Sequence, residues 1–148
     1  MLKKRVIPKL LLKHVFLGNK IRPVIVTTRN FSGESMVGDP ISQAKIFESQ
    51  MADELLLLDI EAGSGRCVST SIVESLADEL FMPFTVGGGV SKLEDFRDLL
   101  KAGADKICIC TAAIENPNLV TEAAEAFGRQ CVVVNIDYRL NDEGKLEV

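Results

Sequence analysis

The chain has 148 residues, 47% hydrophobic and 26% charged, enough to bury a core as one globular domain and too apolar for a disordered or fibrous chain. A formal net charge of -4 and a pI near 5.1 provide no overall basic field, which argues against nucleic acid or an anionic membrane as partner.

The opening stretch MLKKRVIPKLLLKHVFLG sets lysines before leucines, as a signal peptide does. Pro8, Lys9 and Lys13 interrupt its apolar run and no small-residue cleavage site follows, so it reads as a first strand, over 6–12, of a cytoplasmic protein. No apolar stretch approaches the roughly 20 residues of a membrane helix. Further short runs dense in Val, Ile and Leu, at 55–60, 84–86, 107–110 and 131–136, lack polar alternation and predict parallel strands buried on both faces. Between them lie four amphipathic helices. Pro40–Ser49 follows Asp39 as N-cap, with Pro at the first helical position. Over 70–80, Ile72, Val73, Leu76 and Leu80 share a face. The helix over 91–102 has Ser91 as cap, Glu94 three residues on and Gly103 as stop, and the fourth, over 116–127, opens on Asn-Pro and stops at Gly128. The tail DYRLNDEGKLEV starts a hairpin around residues 141–144.

An α/β fold with right-handed crossovers follows from this alternation. GDPISQAKIFESQMADELLLLDI and GGVSKLEDFRDLLKAGADKICIC share a helix, then Ala-Asp, a charged residue and a buried strand, with Ala52 and Ala104 standing 52 residues apart. Repetition of a two-strand, two-helix unit predicts a TIM (β/α)8 barrel rather than an open doubly wound sheet. Such barrels take about 250 residues, so five strands make only a part of one. We expect one domain over 1–148, a half-barrel over 1–128 followed by a fifth strand and a hairpin start over 129–148, either truncated or pairing its open edges with another copy as a homo-oligomer.

Functional groups of a barrel sit where strands end. Those positions here are Leu11, Asp59, the run Gly87-Gly88-Gly89, Cys110-Thr111 and Asp137. The glycines permit close backbone approach ahead of a helix N-terminus, an arrangement suited to phosphate; a tight turn without ligand is the alternative. Asp59 and Asp137 end apolar strands, as functional carboxylates or as caps of the next segment. At the opposite rim Arg5, Glu54 and Lys106 precede strands, as solvated charges or as a ring of ion pairs closing the barrel bottom. Cys67, Cys108, Cys110 and Cys131 lack paired CxxC spacing and His14 is the only histidine, so we expect reduced thiols and no metal; no GxGxxG or Walker pattern calls for a cofactor.

MLKKRVIP, GDPI, ADELLLLDI, PFTVGGGV, AGADKICICTAAIENPNLVTEAAEAFG and CVVVNID together resemble, over nearly the whole chain, the cyclase subunit family (HisF) of imidazole glycerol phosphate synthase. That family is a TIM barrel of histidine biosynthesis, a lyase that takes ammonia from a glutaminase subunit through the barrel to a phosphorylated ribonucleotide. The resemblance implies that Gly88, Gly89, Thr111 and Asp59 belong to the phosphate and substrate site and that Asp137 is a catalytic aspartate. It also implies that Arg5, Glu54 and Lys106 are ammonia-gate charges and that Asp105 lies at the glutaminase interface.

The departures are local. The family's other catalytic aspartate falls on Leu11, which cannot transfer a proton, and a neighbouring cysteine is Lys9. The family's Asp-Gly after strand one is His14-Val15, its loop lysine is displaced to Lys20 and its asparagine before Thr111 is Cys110. The start IPKLLLK resembles paralogues associated with glycosyl amidation, which implies a noncatalytic ammonia conduit as the alternative, with an inactive half-barrel as the third reading.

Overall fold

Five adjacent parallel strands make up most of the sheet, as the apolar runs require. The structure, a computed structural model, describes residues 4–29, 32–63 and 65–147. In chain order it contains β1 (Lys9–Leu17), β2 (Lys20–Arg29), β3 (Ser32–Gly38), α1 (Pro40–Ser49), β4 (Leu55–Asp59), α2 (Thr70–Glu79), β5 (Phe84–Gly87) and α3 (Leu93–Lys101). There follow β6 (Lys106–Ile109), the short α4 (Thr111–Glu115), α5 (Asn118–Phe127), β7 (Val132–Val134), β8 (Arg139–Leu140) and β9 (Leu146–Glu147). The sheet order is β3-β2-β1-β4-β5-β6-β7, with β1, β4, β5, β6 and β7 parallel; β8 and β9 make a separate hairpin.

β2 and β3 were not expected. They add an antiparallel ribbon to one edge, with Leu17 opposite Lys20 and Ile25 opposite Gly38. β1 therefore continues past the expected end at Leu12. The reason is chemical: His14-Val15 offers no turn residue, and the chain reverses only at Gly18, whose φ is +65°. Pro23 is tolerated inside β2 because it lies beyond the last residue paired with β3, on what is locally an edge.

Register and alternation assign the two faces. Leu10, Leu12, Leu55, Leu57, Phe84, Val86, Ile107 and Ile109 point to the helices and are almost fully buried. They meet Ile72, Val73 and Leu76 of α2, Phe96 and Leu99 of α3, and Leu119 and Ala123 of α5. The rings of Phe96 and Phe127 stack with centroids 6.0 Å apart, joining α3 to α5. The other face carries Lys9, Leu11, Leu56, Leu58, Thr85, Gly87, Lys106 and Cys108.

Helix starts follow local chemistry. Asp39 caps α1 by accepting from the Ser42 N–H at 2.8 Å, as expected. The start of α3 differs. Ser91 is not its cap and Glu94 closes no box; the Asp95 carboxylate reaches back to the N–H groups of Ser91 and Lys92 at 2.9 and 3.2 Å. The 52-residue repeat is visible as hydrogen bonds. Asp53 accepts from the Val6 N–H at 2.7 Å and Asp105 from the Phe84 N–H at 2.9 Å, so each Ala-Asp step ties the start of the neighbouring strand.

Candidate functional site

Where the parallel strands end, their loops enclose a cleft of about 1080 Å³ bordered by Lys9, Leu11, Asp59, Gly88, Gly89, Thr111 and Asp137 among others. The expected strand-end residues other than Gly87 thus lie around one opening, although β1 runs through Leu11 instead of ending there.

The glycine run is built for contact between loops. A Cβ on Gly87 would stand 2.6 Å from the Cys108 carbonyl oxygen, and one on Gly88 would stand 2.5 Å from that of Asp59. Gly89 has φ +67° and lies so close to the loop after β4 that a Cβ would be 1.9 Å from the Arg66 carbonyl oxygen. That loop is pinned by paired hydrogen bonds between Gly63 and Arg66, at 2.9 and 3.0 Å, and Val68 donates to the Gly88 carbonyl at 2.9 Å. The run therefore has a packing reason of its own, and the backbone it exposes forms one wall of the cleft.

Asp59 holds the same wall. Its side chain is fully buried, and Oδ1 accepts from the N–H groups of Glu61 and Ala62, each at 3.0 Å, and from the Arg66 guanidinium at 3.2 Å. Oδ2 faces His14 Nδ1 at 3.8 Å, and neither buried atom has a hydrogen-bond partner. Sequence reasoning missed this pairing because only the register of β1 on β4, which sets Leu12 beside Asp59, brings residue 14 close to it.

Asp137 is exposed at the opposite wall, where Asn135 Nδ2 donates to its Oδ1 at 3.2 Å and the Cys110 thiol lies 4.0 Å from Oδ2. Thr111 opens α4 beside it. Asn135 was also missed; its place two residues before Asp137, just past the end of β7, was the available signal. Burial pushes the thiols of Cys108 and Cys67 up to about 11, which makes both poor nucleophiles at neutral pH. All four cysteines are free, and among the described residues no group of three or more His, Cys, Asp or Glu is arranged to hold a metal ion.

At the other end of the strands Glu54, nearly buried, accepts from both Arg5 and Lys106, the latter at 2.6 Å. The two repeat-related residues Glu54 and Lys106 thus pair with each other across β5. Asp105 is exposed at this end, with one carboxylate oxygen already engaged by Phe84.

Residues 15–148 match the profile of the histidine biosynthesis proteins. The chain belongs to that family. Histidine biosynthesis proteins named imidazole glycerol phosphate synthase subunit HisF are 46% identical to it over 138 residues in Clostridium botulinum and over 145 residues in Lactococcus lactis subsp. cremoris, covering 93% and 97% of this chain. A Prochlorococcus marinus protein provisionally named subunit hisF2 is 44% identical over 142 residues, 94% of this chain. These matches cover 51%, 53% and 54% of the relatives, so the chain spans about half their length. The family's TIM-barrel fold accounts for the parallel sheet with helices on one face, which is part of such a barrel. Among the described residues no helix is long and apolar enough to cross a membrane.

Proposed function

We propose that this chain carries HisF-type function: it accepts ammonia from a glutaminase subunit at the Arg5–Glu54–Lys106 end and delivers it to a phosphorylated substrate at the cleft. The observation that carries the reading is the convergence of Gly88, Gly89, Thr111 and Asp137 on one opening, at the opposite strand ends from the ion-paired cluster. In this reading the backbone at Gly89 and the Thr111 hydroxyl hold a phosphate, Asp137 exchanges a proton with the ring-closing substrate, and Asp105 meets the glutaminase. The remainder of the barrel would supply the second half of the site, over one domain continuous with residues 1–148.

One observation favours a second reading. The inner face of β1 presents Leu11 where acid–base chemistry would need a proton carrier, which suits a noncatalytic conduit that passes ammonia to another acceptor. Co-purification with the cognate glutaminase, followed by assays with glutamine and with free ammonia, separates the two. The cyclase reading predicts imidazole formation from either nitrogen source, lost at least 100-fold in Asp137→Asn. Stimulated glutamine hydrolysis without ring closure would establish the conduit instead.

A further inference from the structure

Two buried polar atoms without a hydrogen-bond partner face each other. His14 Nδ1 and Asp59 Oδ2 stand 3.8 Å apart, beyond hydrogen-bond distance. The Asp59 side chain is fully buried, yet only Oδ1 is engaged, by Glu61, Ala62 and Arg66. A buried acceptor to which nothing donates is costly, and the chemistry proposed above uses neither atom.

The charges around this pair do not balance while the imidazole is neutral. Lys13, next to His14 on β1, pairs with Glu34 and lies 3.9 Å from Glu61, and Arg66 pairs with Asp59. Three carboxylates thus face two permanent cations. Glu61 Oε2 accepts from the His14 N–H at 2.7 Å and stands 3.8 Å from Nδ1. The other elements packed on the ring bring no charge: Pro23 lies opposite on β2, and Ser69, Ser71, Ile72 and Ser75 border a cavity of about 350 Å³ beside it. Histidine is the side-chain type that gains charge near neutral pH, and an imidazolium at position 14 supplies the third cation.

We propose that protonation of His14 closes a latch: the imidazolium donates from Nδ1 to Asp59 Oδ2 and ties the β1–β2–β3 ribbon to the wall of the cleft. Asp59 and Glu61 are equally distant from Nδ1, but Glu61 Oε2 already accepts a hydrogen bond and its side chain is partly exposed, whereas Asp59 Oδ2 is buried and accepts none. An approach of about 1 Å makes the charge-assisted bond. Through Oδ1 the same carboxylate holds the loop after β4, against which Gly88 and Gly89 pack. Beyond His14 the ribbon runs on to Thr28 and Glu34, which border the cleft. The closed latch joins these two borders, and the open one leaves the ribbon held by its strand pairing. His14 is a positioning residue acting through Asp59, and this role does not rest on the proposed function.

Hydrogen exchange followed by NMR at about pH 5.5 and about pH 8, expressed as protection factors, tests the latch. This window spans the ordinary range of histidine and excludes those of free carboxylates and lysine. In the wild type, amides of residues 14–26 should be about tenfold better protected at the lower pH, the effect of one hydrogen bond between charged groups, relative to Leu57 and Val86 in the central strands. His14 is the only histidine, so its ring resonances identify themselves, and ribbon protection must follow their titration. His14→Gln abolishes the rise. Asp59→Asn, which keeps one carbonyl oxygen for the Glu61 and Ala62 N–H groups, abolishes it too, while Glu61→Gln retains it. Equal protection at both pH values, a rise that survives His14→Gln or a folded Asp59→Asn, or a rise lost in Glu61→Gln overturns the latch. If Asp59→Asn does not fold, the other two variants still decide.

Discussion

Substituting Gly89 by alanine tests whether the wall of the cleft is locked by contact between two loops. Gly18 and Gly89 have nearly the same backbone, φ +65° and +67°, but a Cβ on Gly18 meets nothing within 4 Å whereas one on Gly89 meets the Arg66 carbonyl oxygen at 1.9 Å. Gly18→Ala therefore measures the left-handed backbone penalty alone, about 1–2 kcal/mol. In Gly89→Ala the Arg66 carbonyl must retreat by about 1.5 Å to reach van der Waals contact. That displacement breaks the Gly63–Arg66 hydrogen-bond pair and pulls Arg66 from Asp59. At about 1 kcal/mol for each bond lost, Gly89→Ala should cost about 2–3 kcal/mol more than Gly18→Ala. Urea unfolding of both variants at pH 7, with m-values compared to the wild type, gives the difference. A gap below about 1 kcal/mol would refute the claim that this turn and loop are mutually locked.

Two further outcomes follow from the charge arrangement. Glu54→Ala leaves Lys106, three-quarters buried, and Arg5 facing each other without their shared carboxylate, and should destabilise the chain by about 2–3 kcal/mol. That figure is below the usual cost of breaking a buried pair because Arg5 is half exposed, and urea unfolding checks it. The Cys67 and Cys108 thiols are raised from 9.0 to about 11 by burial, so between pH 9 and 11 the unfolded chain holds fewer protons than the folded one. Stability contributed by these thiols is complete below pH 9 and falls as pH rises towards 11. Urea midpoints across that window should decline more steeply in the wild type than in the Cys67→Ser, Cys108→Ser double variant.

Much of the parallel framework was legible in the sequence because its cause is local. Apolar runs too short for helices, Asp39 ahead of Pro40, and glycines at 103 and 128 fix strand and helix limits from neighbours a few residues away. The repeat was legible too: the Ala-Asp steps at 52–53 and 104–105 recur because each ties the start of an adjacent strand. The antiparallel ribbon was not. β2 mixes Pro23 with polar ends and β3 is mostly Ser, Gly and Glu, so neither has the apolar density of a buried strand; the Gly18-Asn19 turn was the one local signal.

At the cleft, sequence determined which residue types stand at strand ends, but what each touches depends on register between strands far apart in the chain. Asp59 ends an apolar strand in the sequence, and only folding turns its carboxylate onto Glu61, Ala62 and Arg66 and brings His14 to its free oxygen. The glycine run signalled a tight approach without naming the partner, which proved to be the loop after β4. Lys9 reads as an interruption of an apolar segment; pairing with β4, and through it β5, sets it in one row with Thr85 and Lys106. Local propensity and pattern are written within a few residues, whereas charge compensation and contact are properties of pairs that only the tertiary structure brings within reach.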